Sequence, residues 1–250
     1  MDFKYTFKAD GEADLGLRRA SNQDEVVLLE DCRFFAVSDG MGGLIHGGET
    51  SRMVKDELAV IMKETFEELS SDSAADNAAQ ILKERIIELN QHVYDQGNEY
   101  GRDRFGATLS GVWLVCDSAV FVNIGDSRGY IFKNGKLAQV TKDHNLAAHL
   151  VDRGELTKEE ARNHPSSARL LKYVGMKPPV TPDIFVEPLT PGCEVILCSD
   201  GLHGMAEDEE IEKMLSDKSD GIVKRLISAA NANGGADNIS VVHVTINGGN

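Results

Sequence analysis

The chain has 250 residues, of which 41% are hydrophobic, and carries a formal net charge of −15. Its length and composition suit one sizeable folded domain, because no stretch rich in Pro, Gly or Ser divides the sequence. The acidic charge argues against nucleic acid and anionic membranes as partners. No apolar run approaches the roughly 18 residues of a membrane span, and no signal-peptide pattern opens the chain. We therefore expect a soluble, cytosolic protein.

The strand signals are arranged as hairpins. Residues 25–30 and 33–38 flank a short turn and predict the first one. Four runs in the middle of the chain predict a meander: 107–115, 119–124, 129–133 and 136–141. Asn134-Gly135 is the clearest turn signal among them. Later strands are predicted at 183–187, 194–199 and 239–246. Because short connections join antiparallel neighbours, we expect antiparallel sheets.

Apolar residues at helical spacing predict four helices in two pairs, at 54–69, 78–93, 207–215 and 219–231. Thr50 or Ser51 is expected to cap the first helix, and Ser70–Ala74 to join the first pair. Each helix has one apolar face and therefore lies on a sheet. The pattern predicts an α+β fold, a four-layer α-β-β-α sandwich of two antiparallel β-sheets flanked by pairs of helices.

Residues 142–182 differ from the rest of the chain. They contain short helical pieces, including a capping box from Thr157 to Glu160, and are broken by His164-Pro165 and by Lys177-Pro178-Pro179. We interpret about 145–180 as an insertion into the single domain 1–250. Long ordered insertions are often lids or binding flaps, although a surface excursion without function is an equally good interpretation.

Four aspartates stand where apolar, strand-like runs meet glycine: Asp39, Asp126, Asp200 and Asp237. Asp-Gly after a strand is also a common hairpin turn, because both residues tolerate positive φ. However, carboxylates at strand ends can converge at one edge of a sheet, and their oxygens suit hard cations such as Mg²⁺ and Mn²⁺. The joint pattern therefore indicates an oxygen-ligated metal centre and, with it, hydrolysis.

The cysteines point away from two other chemistries. The four of them have no Cys-x-x-Cys spacing, so structural zinc is not expected. None has an Arg six residues later, so the loop of cysteine-based phosphatases is absent from the sequence. Cys198 lies in an apolar strand and is expected to pack as a small hydrophobe. Free thiols in a reducing compartment are the simplest interpretation.

Six short motifs follow one another along the chain: Arg19-Ala-Ser-Asn22-Gln-Asp24, Ser38-Asp39-Gly40-Met41-Gly42-Gly43, Gly106-Ala107-Thr108, Gly125-Asp126-Ser127-Arg128, Ser199-Asp200-Gly201 and Asp237-Asn238. In this order and spacing the series resembles that of the metal-dependent protein serine/threonine phosphatases, the PPM or type 2C family. The resemblance runs from about Asp14 to about Val244. The Met after Asp-Gly and the Gly-Asp-Ser-Arg motif are most similar to bacterial members.

The resemblance implies the same four-layer sandwich, with a metal centre at one end. It implies that Asp39 bridges two Mn²⁺ or Mg²⁺ ions. The Gly40 carbonyl would bind one of them, with Asp24 reaching it through water. Asp200 and Asp237 would hold the other ion.

Further positions are implied around these ligands. Asp126 would share a third, weaker ion with Asp200. Asn22, Thr108 and Asn238 are expected to stand behind the ligands, Asn238 supporting Asp237. For Thr108, a buried β-branched packing residue is the simpler interpretation.

The resemblance also implies the reaction. Phosphoserine and phosphothreonine in proteins would be hydrolysed by a metal-activated water, so no protein nucleophile is needed. Arg19 is the expected phosphate ligand, because a guanidinium can bind two phosphate oxygens side by side. Its neighbour Arg18 is the alternative, since the two face opposite sides in a strand. Arg19 and Asp39 are thus the expected catalytic pair.

The proton donor to the leaving oxygen stays open. Many eukaryotic relatives have His after the Asp-Gly, where this chain has Met41. His46 is one candidate and a metal-bound water another, although a His on a Gly-rich loop is more often simply solvated. His144 is expected to brace the start of the flap. The segment from Leu44 to Gly48 fits the bacterial pattern loosely, by one extra residue.

Two other functions compete with this one. A calcineurin-like phosphoesterase is disfavoured, because the sequence has no Gly-Asn-His-Glu motif. A catalytically dead phosphatase fold acting as a binding module is disfavoured because every expected metal aspartate is present. The leading hypothesis implies phosphorylated proteins as substrates, a cognate Ser/Thr protein kinase as the opposing enzyme, and a monomer.

Overall fold

The computed structural model describes residues 3–41, 46–68, 75–100, 106–162 and 164–249. Within these ranges lie ten strands: β1 (Thr6–Asp14), β2 (Asp24–Leu29), β3 (Phe34–Asp39), β4 (Leu109–Val115), β5 (Ser118–Ile124), β6 (Arg128–Lys133), β7 (Lys136–Gln139), β8 (Asp183–Pro188), β9 (Glu194–Cys198) and β10 (Ile239–Asn247). The same ranges hold seven α-helices: α1 (Gly47–Glu68), α2 (Ala75–Tyr100), α3 (Leu146–Asp152), α4 (Lys158–Arg162), α5 (Asp200–His203), α6 (Asp208–Ser216) and α7 (Ile222–Ala232). The predictions for Gly42, Gly43, Leu44, Leu69 and Ser70–Ala74 lie outside the described residues.

The strands form two five-stranded sheets in which every pairing is antiparallel. We call them sheet I, in the order β1-β10-β9-β6-β7, and sheet II, in the order β2-β3-β4-β5-β8. Helices α1 and α2 pack on sheet II, and α5, α6 and α7 pack on sheet I. The predicted α-β-β-α sandwich is therefore confirmed, with an extra short helix on the sheet I side.

Three apolar clusters hold the layers together. Trp113 and Phe34 belong to the cluster between sheet II and its helices. Tyr130 belongs to the cluster between sheet I and its helices, and Phe35 and Phe121 fill the space between the sheets. Strands β3, β4 and β5 are buried on both faces, which is why their sequences are continuous apolar runs rather than alternating ones.

Two features of the strand order differ from the predictions. The pattern did not identify β1, although Phe7, Ala9 and Gly11 alternate with exposed polar residues along it. The predicted continuous meander is wrong, because the chain leaves sheet II after β5 and enters sheet I at β6. Gly125 makes this crossing possible with a φ of +111°, a conformation that other residues rarely adopt.

The start of α1 also differs. The helix begins at Gly47, so Thr50 and Ser51 lie in its first turns and neither is the residue preceding the helix. Thr50 Oγ1 donates to the His46 carbonyl at 2.8 Å, and Ser51 Oγ donates to the Gln23 carbonyl at 2.5 Å. The Ser51 hydroxyl thus ties α1 to the residue before β2.

The segment from 145 to 180 contains α3, α4 and a short 3₁₀ turn at Pro165–Ala168. Its capping box is present: the Thr157 N–H donates to Glu160 Oε2 at 2.8 Å, and the Glu160 N–H donates to Thr157 Oγ1 at 3.2 Å. His144 stands at its base, where Nδ1 accepts from the Gly125 N–H at 3.2 Å and Nε2 lies 3.1 Å from Asp183 Oδ2. None of the helices that the structure describes has the length and apolar character required to span a bilayer.

Candidate metal centre

One end of the sandwich collects carboxylates from both sheets. Asp24 opens β2 and Asp39 closes β3, and the two residues are direct partners in the antiparallel register. Gly40 follows at once, and its N–H donates to the Gln23 carbonyl at 3.0 Å. A Cβ at Gly40 would lie 2.2 Å from the Gly47 carbonyl oxygen, so only glycine allows the end of β3 to meet the start of α1.

The other three aspartates come from the connections of sheet I. Asp126 lies in the crossing between β5 and β6, Asp200 is the first residue of α5 after β9, and Asp237 lies two residues before β10. A Cβ at Gly201 would lie 1.9 Å from the Asn238 carbonyl oxygen, so the backbones that carry Asp200 and Asp237 are in contact. The strand-end placement predicted for these aspartates is what the structure has.

The carboxylates are close enough to perturb one another. Burial, followed by the charges of Asp24, Asp200 and Asp126, raises the pKa of Asp39 well above its ordinary value. Burial and neighbouring carboxylates likewise raise the pKa of Asp24 to about 7, of Asp126 to about 8 and of Asp200 to about 6. Like charges in a poorly hydrated site disfavour ionisation, and a bound cation reverses that preference.

Several carboxylate oxygens have no other partner. Both oxygens of Asp24 and Oδ1 of Asp200 are buried without a hydrogen bond, although Ser199 and Ser240 lie near Asp24. Across the described ranges, no three His, Cys, Asp or Glu side chains are already gathered as the ligands of a single ion. The buried carboxylate oxygens without a partner are donors of the kind that hard cations such as Mg²⁺ take, together with carbonyl and water oxygens.

Arg19 reaches this cluster from the turn between β1 and β2. Its Nη2 donates to Asp237 Oδ2 at 2.5 Å, and this hydrogen bond, followed by the charges of Asp237, Asp200 and Asp39, raises the pKa of Arg19. The side chain is 41% exposed, so the guanidinium lies at the solvent-facing edge of the aspartate cluster. Arg18 and Arg19 lie in a turn, and the expectation that they alternate along a strand is wrong.

The side chains expected to stand behind the ligands bond to the backbone of the site rather than to its carboxylates. Asn22 Oδ1 accepts from the Asp24 N–H at 3.1 Å. Thr108 is buried; its Oγ1 accepts from the Asp39 N–H at 3.0 Å, and its own N–H donates to the Asp39 carbonyl at 2.8 Å. The Asn238 N–H donates to Asp237 Oδ1 at 2.8 Å, while its side chain turns to the segment that contains Gln23.

His46, the proposed proton donor, lies just before α1. Its Nδ1 pairs with Glu49 Oε2 at 2.5 Å. His144 contacts the crossing loop beside Asp126 through the Gly125 N–H, as its expected bracing role requires. Cys198 is fully buried in β9, as expected.

Three residues to which the sequence patterns assigned no role lie against the site. His203 Nε2 donates to the Asp126 carbonyl at 2.9 Å, because a carbonyl oxygen can only accept. Burial lowers the pKa of His203 to about 3. Asn145 Nδ2 donates to Asp126 Oδ2 at 3.3 Å, and the Ser127 hydroxyl bonds to Thr108 Oγ1 at 2.6 Å. His203 was identifiable in principle, because it follows Asp200 by one helical turn.

A groove of about 620 Å³ runs from the carboxylates to the flap. Asp126, Asp200 and Asp237 line one side of it, and residues of α3 and α4 line the other. Arg162 of α4 closes one wall by donating through Nη2 to the His203 and Ala206 carbonyls at 3.1 and 2.9 Å. A cleft of this volume accommodates several side chains of a polypeptide.

Comparison with known proteins agrees with this architecture. The family model "Protein phosphatase 2C" matches residues 18–240. The serine/threonine phosphatase stp of Listeria welshimeri is 36% identical over 245 residues, covering 96% of this chain and 96% of that protein.

Solved structures show the same fold. The serine/threonine phosphatase Stp1 from Staphylococcus aureus superposes with a TM-score of 0.89 and is 29% identical, covering 99% of this chain and 98% of that one. The catalytic domain of the phosphatase PstP, solved in complex with two manganese ions, has a TM-score of 0.78 at 29% identity, covering 96% of this chain and 98% of that one. The chain therefore belongs to the protein phosphatase 2C family, as a divalent-metal-dependent protein serine/threonine phosphatase of the bacterial type.

Proposed function

We propose that the five aspartates form the metal centre at which this chain hydrolyses phosphoserine and phosphothreonine in proteins. The observation that carries the proposal is the gathering of carboxylates from both sheets at one end of a groove, where oxygens of Asp24 and Asp200 are buried without a hydrogen bond. Burial raises the pKa of four of the five, Asp24, Asp39, Asp126 and Asp200. Such a cluster repels itself unless cations occupy it.

The proposed ligands are divided between two ions, Mn²⁺ or Mg²⁺. Asp39 would contribute to holding both ions, the Gly40 carbonyl one of them, with Asp24 acting through water. Asp200 and Asp237 would hold the other. Asp126, beside Asp200, would supply a third and weaker site. When bound, the ions activate water as the nucleophile and neutralise charge on the phosphoryl group.

The chain's own residues bind and orient the phosphate. Arg19 is placed for this, because its guanidinium is partly exposed beside Asp237, which lines the groove, and its N–H groups match phosphate oxygens in pairs. Asp39 is held by the two hydrogen bonds that Thr108 makes with its backbone. The candidates for the proton donor to the serine or threonine oxygen are His46 and a metal-bound water.

The proposed protein substrate lies along the groove beside the flap. We take 145–180 as the flap of a single domain, because α3 and α4 face the carboxylates across the groove. A Ser/Thr protein kinase that phosphorylates the same proteins is the proposed opposing partner. A monomer in the cytoplasm is the proposed working state.

The test is turnover of a phosphothreonine peptide and of p-nitrophenyl phosphate with Mn²⁺, with Mg²⁺ and with EDTA. We expect metal-dependent release of phosphate from both substrates, and its loss in Asp39→Asn at every metal concentration. A folded protein that binds Mn²⁺ but hydrolyses neither substrate would support a regulatory module and contradict the proposal.

A further inference from the structure

The turn that carries Arg19 is attached to the segment that carries Asp237. We call residues 14–23 the arginine turn and residues 231–238 the aspartate segment. The Leu17 N–H donates to the Gly235 carbonyl at 2.9 Å. Gly16 has a φ of +72°, and a Cβ there would lie 2.1 Å from the Asp237 carbonyl oxygen. The two backbones are thus in direct contact.

Asn238 holds the arginine turn on both sides of Arg19. Its Nδ2 donates to the Leu15 carbonyl at 2.9 Å and to the Ser21 carbonyl at 3.1 Å. Its Oδ1 accepts from the Gln23 N–H at 2.9 Å. The side chain is almost fully buried, so breaking these hydrogen bonds would leave polar groups without water to replace their partners.

Asn231, at the end of α7, holds the beginning of the same turn. Its Nδ2 donates to Asp14 Oδ1 at 3.0 Å, and that oxygen also accepts from the Gly16 N–H at 2.8 Å. Asp14 is the last residue of β1. Asn231 therefore acts on the point where the chain leaves sheet I and turns toward Arg19.

These contacts matter for Arg19 because its own side chain is long and partly exposed. Ordering such a side chain on binding costs conformational entropy, and a backbone that is already fixed keeps that cost to the side chain alone. We propose that Asn231 and Asn238 are positioning residues that fix the arginine turn, so that the Arg19 guanidinium faces the pocket before substrate arrives. This inference rests on the proposed phosphate-binding role of Arg19.

The experiment exchanges the partners of the Asn231–Asp14 pair. Asn231→Asp places two carboxylates against each other and should release the turn. The double variant Asp14→Asn with Asn231→Asp again pairs an amide with a carboxylate. For both p-nitrophenyl phosphate and a phosphothreonine peptide, we expect Asn231→Asp to raise KM by about tenfold with kcat changed less, and the double variant to recover most of that loss. The rise in Tm on adding Mn²⁺ should be the same in all three proteins.

Asn233 supplies the matched control. It lies two residues further on, and its Nδ2 donates to the Met205 carbonyl at 2.9 Å rather than to the arginine turn. Asn233→Asp should leave KM unchanged. If Asn231→Asp folds and keeps the wild-type KM, or if Asn233→Asp raises KM as much, the inference is wrong. Should Asn231→Asp fail to fold, the same KM measurement on Asn231→Ala decides. Absence of any metal-dependent turnover in the wild type would instead overturn the proposed function, and this inference with it.

Discussion

Asp24 illustrates how strongly single residues at the site depart from ordinary protein chemistry. It is 4% exposed, both of its oxygens lack a hydrogen bond, and its register partner is another aspartate. A buried unpaired carboxylate normally destabilises a fold, and residues of this kind are retained where a ligand compensates them. At the scale of single residues, the candidate functional groups are therefore the buried ionisable side chains that lack the partners a stable core would give them.

Arg19 permits a clean test at the same scale. Arg19→Ala should raise KM for a phosphopeptide by about ten- to hundredfold, because it removes charge-assisted hydrogen bonds to phosphate worth about 1.5–3 kcal/mol. Metal affinity, measured by calorimetry, should change little. Arg18→Ala is the matched control, since Arg18 occupies the same exposed turn. Equal effects of the two substitutions on KM would refute the assignment of phosphate binding to Arg19.

Single elements place these residues by ending where they do. Strand β3 ends at Asp39, and the next residue, Gly40, fits against Gly47 at the beginning of α1. Similarly, the chain passes from sheet II to sheet I between β5 and β6, and Asp126 lies in this crossing. Backbone contact leaves no room for a side chain at Gly40. At Gly125 the φ of +111° and the Thr108 side chain, 2.6 Å from where a Cβ would lie, also require glycine.

Gly40→Ala tests the first junction. A Cβ would lie 2.2 Å from the Gly47 oxygen and 2.4 Å from its carbon, both backbone atoms that cannot rotate away. We expect a loss of stability of at least about 1–3 kcal/mol in urea unfolding and a loss of the Mn²⁺ response. In Gly48→Ala the new Cβ would lie 3.5–3.7 Å from Gln23 atoms, which is ordinary van der Waals contact, so that variant should be neutral or slightly more stable. Similar destabilisation of both would contradict this account.

The start of β9 carries a second acidic group, remote from the metal centre. Glu194 is nearly buried and lies 2.7 Å from His243 Nε2 and 2.5 Å from Lys218 Nζ. Burial opposes ionisation there, but the hydrogen bonds from His243 and Lys218 outweigh it and lower the pKa of Glu194.

A lowered carboxylate pKa contributes stability above the unfolded-state pKa, near 4.5 for Glu, and loses it as pH falls through the folded-state value. Glu194→Gln should therefore be less stable than the wild type at pH 7, with the difference shrinking as pH falls below about 4.5. Denaturant unfolding at several pH values measures this. A difference that stays constant from pH 7 to pH 3 would show that the charge of Glu194 contributes nothing.

In the molecule as a whole, the candidate metal centre lies where the two sheets meet. Asp24 and Asp39 belong to sheet II, whereas Asp200 and Asp237 flank strands of sheet I. Cations bound among them would link the two halves of the sandwich at one end, and ligands that bind only the folded state stabilise it.

Saturating Mn²⁺ should accordingly raise Tm by about 5–10 °C. This is the shift expected in a chain of this size when the Mn²⁺ concentration is about a hundredfold above the Kd of the site. Asp200→Asn should raise the Tm of the metal-free protein, because it removes one of the mutually repelling charges, and should reduce the Mn²⁺-induced shift. Differential scanning calorimetry with and without EDTA measures both. An unchanged Tm on adding Mn²⁺ to the wild type would contradict the claim that bound cations stabilise the contact between the two sheets.

The amino-acid sequence by itself determined the layers of this protein and the identity of its acidic residues. Apolar periodicity identifies the four longer helices that pack on the sheets, although not the short α5, and the series of short motifs identifies the family. Sequence patterns failed where neighbouring residues do not determine the structure. Strand β1 was missed because its apolar alternation is short and weak. The predicted meander was wrong because no nearby residue determines which sheet β6 joins.

Only the tertiary structure decided which of the candidate residues meet. It brought Arg19 to Asp237 across more than two hundred positions, assigned the Asn238 side chain to the arginine turn, and placed His203 and Asn145 against Asp126. The physical reason is that side-chain encounters between distant segments depend on how the sheets and helices pack, and packing is a property of all the residues together.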